Sequence, residues 1–443
     1  MPDTLNADQI LALAPDPGSA KAGQGLASRR KWLTLSRSER AAWGECQGSA
    51  REPYRTQIDL SEPAFRCSCP SRKFPCKHGL GLFLLLASDP AAFEQVAAPP
   101  WVAEWLNRRD QSAQPRAAKP EPSDIPGTQK KRTAAQAKAA AAREERVVAG
   151  VDELSRWLRD LVRQGLAGAQ GRPYSFWETM AARMVDAQAP GLARMVRALA
   201  GVPASGEGWQ ARLLERLALL HLLTESYGRI DTLPADTQAD IRATIGWTQS
   251  QDELLAAAGL RARWLILGQH VEDEDNLRVQ RTWLWSEECA RPALILSFAA
   301  PGQPLDHSLA PGTALDAELV YFPGAYPLRA LVKQRHGPPE PIDGSPGYAD
   351  LTTATAAYAA ALARMPWLER FPMPLQSVTP TRSGQRWAVR DADGRALPLT
   401  PGFAHGWRLL ALSGGRPLAL FGEWNGVTLL PLSTQTEEEF RTL

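Results

Sequence analysis

Apolar residues along this chain change their spacing from one region to the next, and the spacing marks out elements. Near the start Ile10, Leu11 and Leu13 form a short apolar group, Pro15 and Pro17 break it, and Leu26, Trp32, Leu33 and Leu35 resume it. Residues 8–40 are therefore expected to form short helices and turns. Between 43 and 60, turn signals such as Gln47-Gly48-Ser49 alternate with strand-like stretches including Tyr54-Arg55-Thr56-Gln57-Ile58, which predicts a hairpin. An apolar helical run of Leu80, Leu82, Phe83, Leu84, Leu85 and Leu86 follows a cysteine-rich segment.

From 147 to about 260 the apolar positions recur at helical spacing: Leu154, Trp157, Leu158, Leu161 and Val162, then Phe176, Met180, Met184 and Val185, then Leu213, Leu214, Leu217 and Leu220. Breakers at Gly171-Arg172-Pro173, Ala189-Pro190-Gly191 and Leu233-Pro234 separate them, so residues 143–260 read as an all-helical domain. His221 falls inside an apolar run with no second metal-type residue at useful spacing, and is expected to be a core or groove histidine. Beyond 261 the period shifts toward two. Strands are predicted at 264–267, 277–285, 293–298, 317–321 and 330–334, a helix at 348–364, and hairpin turns at Asp393-Gly394, Gly414-Gly415 and Asn425-Gly426. Residues 261–443 are thus a β-rich C-terminal domain.

Composition adds a boundary. Residues 107–142 are rich in Pro, Ala, Lys, Gln and Ser, with Pro115, Pro120, Pro122 and Pro126 and few large apolar residues, so they read as a flexible basic linker whose alanine-rich end can turn helical. Its Lys130-Lys131-Arg132 run reads as a solvated charge patch rather than a contact with nucleic acid or an acidic partner. The chain has 443 residues, too many for one core, and its 44% hydrophobic and 22% charged residues are those of an ordinary globular protein. Lys plus Arg number 50 against 48 Asp plus Glu, so no global field recruits nucleic acid or anionic membrane. The first residues lack a basic region followed by an apolar one, and no run reaches membrane-spanning length, which leads to the expectation of a cytoplasmic protein.

Five cysteines, three of them within ten residues, argue for metal rather than a disulfide framework. The segment reads Cys67-Ser68-Cys69-Pro70-Ser71-Arg72-Lys73-Phe74-Pro75-Cys76-Lys77-His78. In extended chain, residues two apart face the same side, so Cys67 and Cys69 can present two thiolates to one ion. Pro70 and Pro75 bracket a turn, and Cys76 and His78 stand at the entrance of the apolar helix, whose positive end eases a thiolate at Cys76. Three sulfurs and one imidazole suit a closed tetrahedral structural zinc with no open position for substrate water. Arg72, Lys73 and Lys77 offset the charge of that centre. Cys46 and Cys289 read as packing residues.

The C-x-C then C-x-H order, preceded by Trp43-Gly44-Glu45-Cys46-Gln47-Gly48-Ser49 and followed by Gly79-Leu80-Gly81-Leu82, resembles the SWIM zinc finger. Leu13-Ala14-Pro15-Asp16 and residues 181–192 are also similar to bacterial SWIM-family proteins, whereas little beyond 260 resembles them. The resemblance implies a ββα module at about 43–90 within an N-terminal region 1–106, with Cys67, Cys69, Cys76 and His78 as ligands. It also implies a binding module for protein or DNA, and a setting beside MoxR-type ATPases and von Willebrand factor A proteins.

Other constellations are weaker. Glu272-Asp273-Glu274-Asp275 reads as a solvated hairpin loop rather than a cation site. Trp283, Trp285, Trp407 and Trp424 read as sheet packing, with an aromatic recognition surface as the alternative. His270, His307, His336 and His405 have no sequence-adjacent partners, and no nucleophile elbow, phosphate loop or HExxH is present. The expectation is a multidomain α+β protein carrying one Zn²⁺ and acting as a protein-interaction adaptor or regulatory subunit, not an enzyme, with no membrane contact and no evident small-molecule substrate. A nucleic-acid protein using Arg72, Lys73, Lys77, Arg29, Arg30, Lys31 and the linker to bind DNA or RNA is the first alternative. An enzyme in the C-terminal domain, a hydrolase or transferase, is the second; converging carboxylates or histidines would raise it.

Overall fold

The computed structural model describes residues 7–47, 52–61, 63–71, 73–113, 126–274, 277–300, 303, 305–436 and 439–443. The N-terminal part runs α1 (Ala7–Ala12), α2 (Pro17–Gln24), β1 (Trp32–Arg37), β2 (Ala41–Cys46), β3 (Tyr54–Asp59), β4 (Ala64–Cys67), α3 (Lys77–Ser88), β5 (Glu94–Gln95) and α4 (Pro100–Ala113). Its sheet has the order β4-β3-β2-β1-β5, an antiparallel meander with β5 added parallel to β1. The strand β1 corrects the expectation of only helices and turns before residue 40. A bulge between Trp32 and Thr34 resets the pleat, so Trp32 and Leu35 are both buried although three residues apart, a spacing that imitates a helix.

Helix α3 buries every residue from His78 to Leu86, as expected of a helix apolar on all sides. It packs with α1 against one face of the sheet through Ile10, Leu35, Ile58, Phe65, Leu82 and Phe83. The other face, with Ala41 and Trp43, is covered by Val102, Trp105 and Leu106 of α4. Buried Asp59 at the end of β3 fastens that layer, meeting Arg40 at 3.4 Å and Arg109 of α4 at 3.1 Å. Where α2 crosses α3 the backbones nearly touch: a Cβ on Gly81 would lie 2.6 Å from Cβ of Leu26, so only glycine fits.

The stretch expected as a linker begins and ends in helix. Residues 107–113 continue α4, and 126–142 open α5 (Pro126–Arg163); residues 114–125 lie outside the described residues, as do the side chains of Lys130, Lys131 and Arg132. With α6 (Tyr174–Asp186), α7 (Pro190–Leu199), α8 (Trp209–Gly228) and α9 (Ala235–Ile245), α5 encloses a core of Leu154, Leu158, Trp177, Met184, Leu192 and Leu213. His221 is corrected: it lies on the exposed face of α8 with Nδ1 3.8 Å from Glu225, one turn on, because the apolar run there is longer than the stripe that faces the core. Short α10 (Gln251–Ala256) leads out of the bundle.

The remainder is two packed six-stranded sheets. The first contains β6 (Leu260–Glu274), β7 (Leu277–Ser286), β8 (Arg291–Ala299), β9 (Thr313–Tyr321), β10 (Ala330–Arg335) and β11 (Glu340–Pro341), in the order β10-β9-β6-β7-β8 with β11 on β9. After α11 (Leu351–Arg364) come β12 (Phe371–Ser383), β13 (Arg386–Arg390), β14 (Ala396–Pro398), α12 (Gly406–Ser413), β15 (Leu418–Trp424), β16 (Leu429–Gln435) and β17 (Phe440–Thr442), ordered β14-β13-β12-β15-β16-β17. Alternation along β6 sends Leu265 and Leu267 toward Phe421 and Leu432 of the second sheet, and Trp264 and Ile266 to the opposite face. Asp393-Gly394 and Asn425-Gly426 join paired strands as expected. Gly414-Gly415 does not: Gly414, at φ 57°, is the left-handed cap that ends α12, a glycine role that a two-residue turn motif cannot separate from a hairpin.

The C-terminal part touches both of the others. Gln9 Nε2 donates to Pro311 O at 3.0 Å and Phe74 stacks on His307, while Trp367 Nε1 donates to Leu219 O of α8 at 3.0 Å. No helix among the described residues is long and apolar enough to cross a membrane.

Candidate metal centre

The four ligand-type side chains singled out by their spacing converge. Cys67 ends β4, where it pairs across to Thr56 of β3; Cys69 follows two residues later; Cys76 is the N-cap of α3 and His78 stands in its first turn. Their ligand atoms all lie within 4.8 Å of one another. Nδ1 of His78 is 3.8 Å from Sγ of Cys67 and 3.9 Å from Sγ of Cys76. Zinc bonded tetrahedrally to sulfur and nitrogen places its donors about 3.5–3.8 Å apart, so this cage has nearly the size the ion demands.

The surroundings fit the same ion. Backbone N–H groups of Cys69, Ser71 and Gly79 donate to the sulfurs of Cys67, Cys69 and Cys76. Such bonds orient and stabilise ligating thiolates. The Thr56 hydroxyl is 3.1 Å from Cys67 Sγ, and the Tyr54 ring leans on buried His78 with centroids 5.1 Å apart. Nothing local in the sequence marks either residue; the β3–β4 register sets Thr56 opposite Cys67, and the fold brings Tyr54, two residues earlier, beside His78. Left to themselves the thiols conflict. A hydrogen bond from Cys76 first, with others from His78 and Thr56, brings Cys67 down to about 4, while that same bond and then burial push Cys76 up, and burial pushes Cys69 up. One thiolate is accommodated and the others resist ionisation beside it, a conflict that a divalent cation removes.

Cys46 is buried outside this group, its thiol against Lys31 O at 3.2 Å, and Cys289 is exposed. Lys73 reaches across the metal turn to Asp16, the N-cap of α2, at 3.0 Å; its hydrogen bond is the largest cause holding the Asp16 carboxyl down to about 2. Lys77, Arg29, Arg30 and Lys31 are exposed, and Arg72 lies outside the described residues. A cavity of about 500 Å³ opens beside the centre between α2 and the metal turn, lined by Gly18, Tyr54, Cys69, Ser71, Lys73 and Lys77.

The enzyme alternative has one converging cluster to answer for. Buried Glu423 accepts from Arg281 Nε at 2.9 Å and Trp283 Nε1 at 2.7 Å, and Glu272 pairs with Arg281 at 2.8 Å and Arg370 at 3.2 Å. Glu272 is therefore no solvated loop residue, because the hairpin folds it back onto the arginines; Asp275 lies outside the described residues. His270 borders the cluster with its pKa lowered, first by burial and then by Arg281. Both carboxylates are engaged by the arginines in a joint between the sheets, and neither the cavity beside the metal centre nor a second one of about 530 Å³ near Arg261 and His336 is lined by them.

With the geometry in place, the class is that of a closed structural zinc site on a ββα unit. Residues 54–87 match the SWIM zinc finger family model and residues 142–245 match the SWIM-associated four-helix bundle domain, so the chain carries both. The first match covers β3, β4 and α3, and the second covers most of α5 through α9. No curated protein and no solved structure matched the chain.

Proposed function

We propose that this protein is a non-catalytic interaction adaptor or regulatory subunit whose docking surface is organised by one zinc ion held by Cys67, Cys69, Cys76 and His78. The observation that carries the reading is the donor set: three thiols and an imidazole gather within 4.8 Å of one another, enough to complete a tetrahedral zinc shell and leave no position for substrate, so the ion's contribution would be to folding. The stapled turn then forms one wall of the adjoining cavity, with α2 as the other. A partner protein fits this better than phosphates alone, because Lys73 is already paired with Asp16 and the chain as a whole is near neutral. The first partners to try, on the resemblance, are a MoxR-type ATPase and a von Willebrand factor A protein. Isothermal titration of those proteins with the zinc-loaded chain and with Cys76→Ser tests the reading. Binding that is lost with the metal supports it; equal binding by the zinc-free variant overturns it.

A further inference from the structure

The strands and helix between Phe371 and Leu420 differ in charge from the rest of the chain. They hold six arginines and two aspartates, with no lysine or glutamate, in a protein whose overall excess of cations is two. The two aspartates are committed: buried Asp391 accepts from the backbone N–H groups of Leu351 and Arg395, and Asp393 pairs with the Arg395 guanidinium at 2.8 Å. Arg382, Arg386, Arg390 and Arg416 form no ion pair among the described residues; Arg382 donates only to the neutral Gln385 amide.

Within this cationic unit stands an aromatic platform. Trp387 of β13 and Trp407 in the first turn of α12 meet edge to face, centroids 5.2 Å apart and planes at 86°. The Arg382 guanidinium, cross-strand from Trp387, lies 4.6 Å from the Trp407 centroid and 5.4 Å from that of Trp387. Gly406 makes the arrangement possible, since a Cβ there would lie 2.3 Å from the Trp387 indole. Trp387 is thereby half-buried and fixed, whereas Trp407 is 62% exposed. A largely exposed indole, set edge to face with a neighbouring ring and carrying a guanidinium over its own ring, provides base stacking and phosphate contact at one place. Arg386 and Arg390, exposed on the opposite pleat of β13, add to the positive field rather than to the contact.

We infer that this surface binds single-stranded nucleic acid, stacking a base on Trp407 and contacting a phosphate through Arg382. The site stands apart from the zinc centre and from both matched family domains, and does not rest on the adaptor reading. Arginine without lysine favours phosphate, which it meets with two parallel hydrogen bonds. A largely exposed indole beside a guanidinium favours a splayed base.

The test uses the full zinc-loaded chain and fluorescence anisotropy of a labelled 20-nucleotide oligothymidine, with a 20-base-pair duplex and polyglutamate as competitors, at several salt concentrations. Trp407→Ala removes an exposed ring, so zinc content and melting temperature should stay those of the parent. Its affinity for the oligothymidine is expected to fall about tenfold with the salt dependence nearly unchanged. Arg382→Ala should weaken binding and flatten the salt slope by about one counterion, and Lys77→Glu at the metal turn should change neither. The inference is overturned if oligothymidine fails to bind at low salt, if Trp407→Ala binds as the parent does, if Lys77→Glu is the damaging variant, or if polyglutamate competes more strongly than nucleic acid. None of these results bears on zinc-dependent protein binding, which the titration with Cys76→Ser decides separately.

Discussion

The zinc module and the C-terminal sheets are both β-rich, yet they are fastened in opposite ways. In the module the fastening residues lie between 67 and 78, close along the chain, and converge on a point where a metal ion supplies the energy. In the sheets the comparable joint is the Arg281–Glu423 pair, 142 residues apart, buried and further bonded to Trp283. A coordinate centre stabilises by adding an external ion to the folded state alone. A buried ion pair adds nothing external; its attraction offsets the desolvation of two charges, and its clearest effect is the penalty when one partner is missing. The module should therefore depend on solution conditions, chelators above all, and the sheets on the integrity of their own side chains.

Cys76→Ser should separate the two regions most sharply. It should abolish stoichiometric zinc and melt residues 7–113 while the sheets keep their own transition, because apparent zinc-binding energies of about 10–16 kcal/mol are folding energy in such modules. Metal analysis with calorimetry reads both, and one zinc retained at an unchanged melting profile contradicts it. Next comes Glu423→Ala, which leaves the buried Arg281 guanidinium only its pair with half-exposed Glu272 and strands the Trp283 N–H; a loss of about 3 kcal/mol is expected in chemical denaturation, with zinc content unaltered. Gly81→Ala sits between these extremes in kind, acting on packing inside the module. The α2–α3 crossing must open by several tenths of an ångström, at about 1–3 kcal/mol, with zinc retained.

The smallest effect is pH-dependent. The Glu272 carboxyl is held below the ordinary glutamate value, first by its hydrogen bond from Arg281, against partial burial, and then by the charges of Arg281 and Arg370. Its stabilisation is complete above the unfolded glutamate pKa and is lost as pH falls through the lower folded value. Glu272→Gln should therefore be less stable than the parent at neutral pH by no more than about 1 kcal/mol, since the group is partly solvated, and the two should converge in acid. A gap that persists or widens as the pH falls through this range would show that the carboxylate's charge is not what stabilises the joint.

How far the sequence could be read follows the same division. Cys67, Cys69, Cys76 and His78 were legible because their geometry is local: pleat alternation and a helix entrance bring them together with no knowledge of the rest of the fold. Thr56 and Tyr54 were not, since the register of β3 on β4 sets Thr56 beside Cys67 and only the packing of β3 on α3 sets Tyr54 beside His78. Strand and helix types in the C-terminal part were largely legible from periodicity, but the pairing of Glu423 with Arg281 and the platform of Trp387 with Trp407 depend on long-range packing that periodicity does not encode. At two places one pattern has two physical causes. The bulge at Trp32 gave a strand a helical spacing, and Gly414-Gly415 serves equally as a hairpin or a helix cap.

Zinc K-edge X-ray absorption on the purified chain at one metal per molecule reads the coordination shell itself. Three sulfurs at about 2.3 Å and one nitrogen at about 2.0 Å are predicted, with no oxygen from water. A shell dominated by nitrogen and oxygen, or an open position held by water, would contradict a closed structural centre.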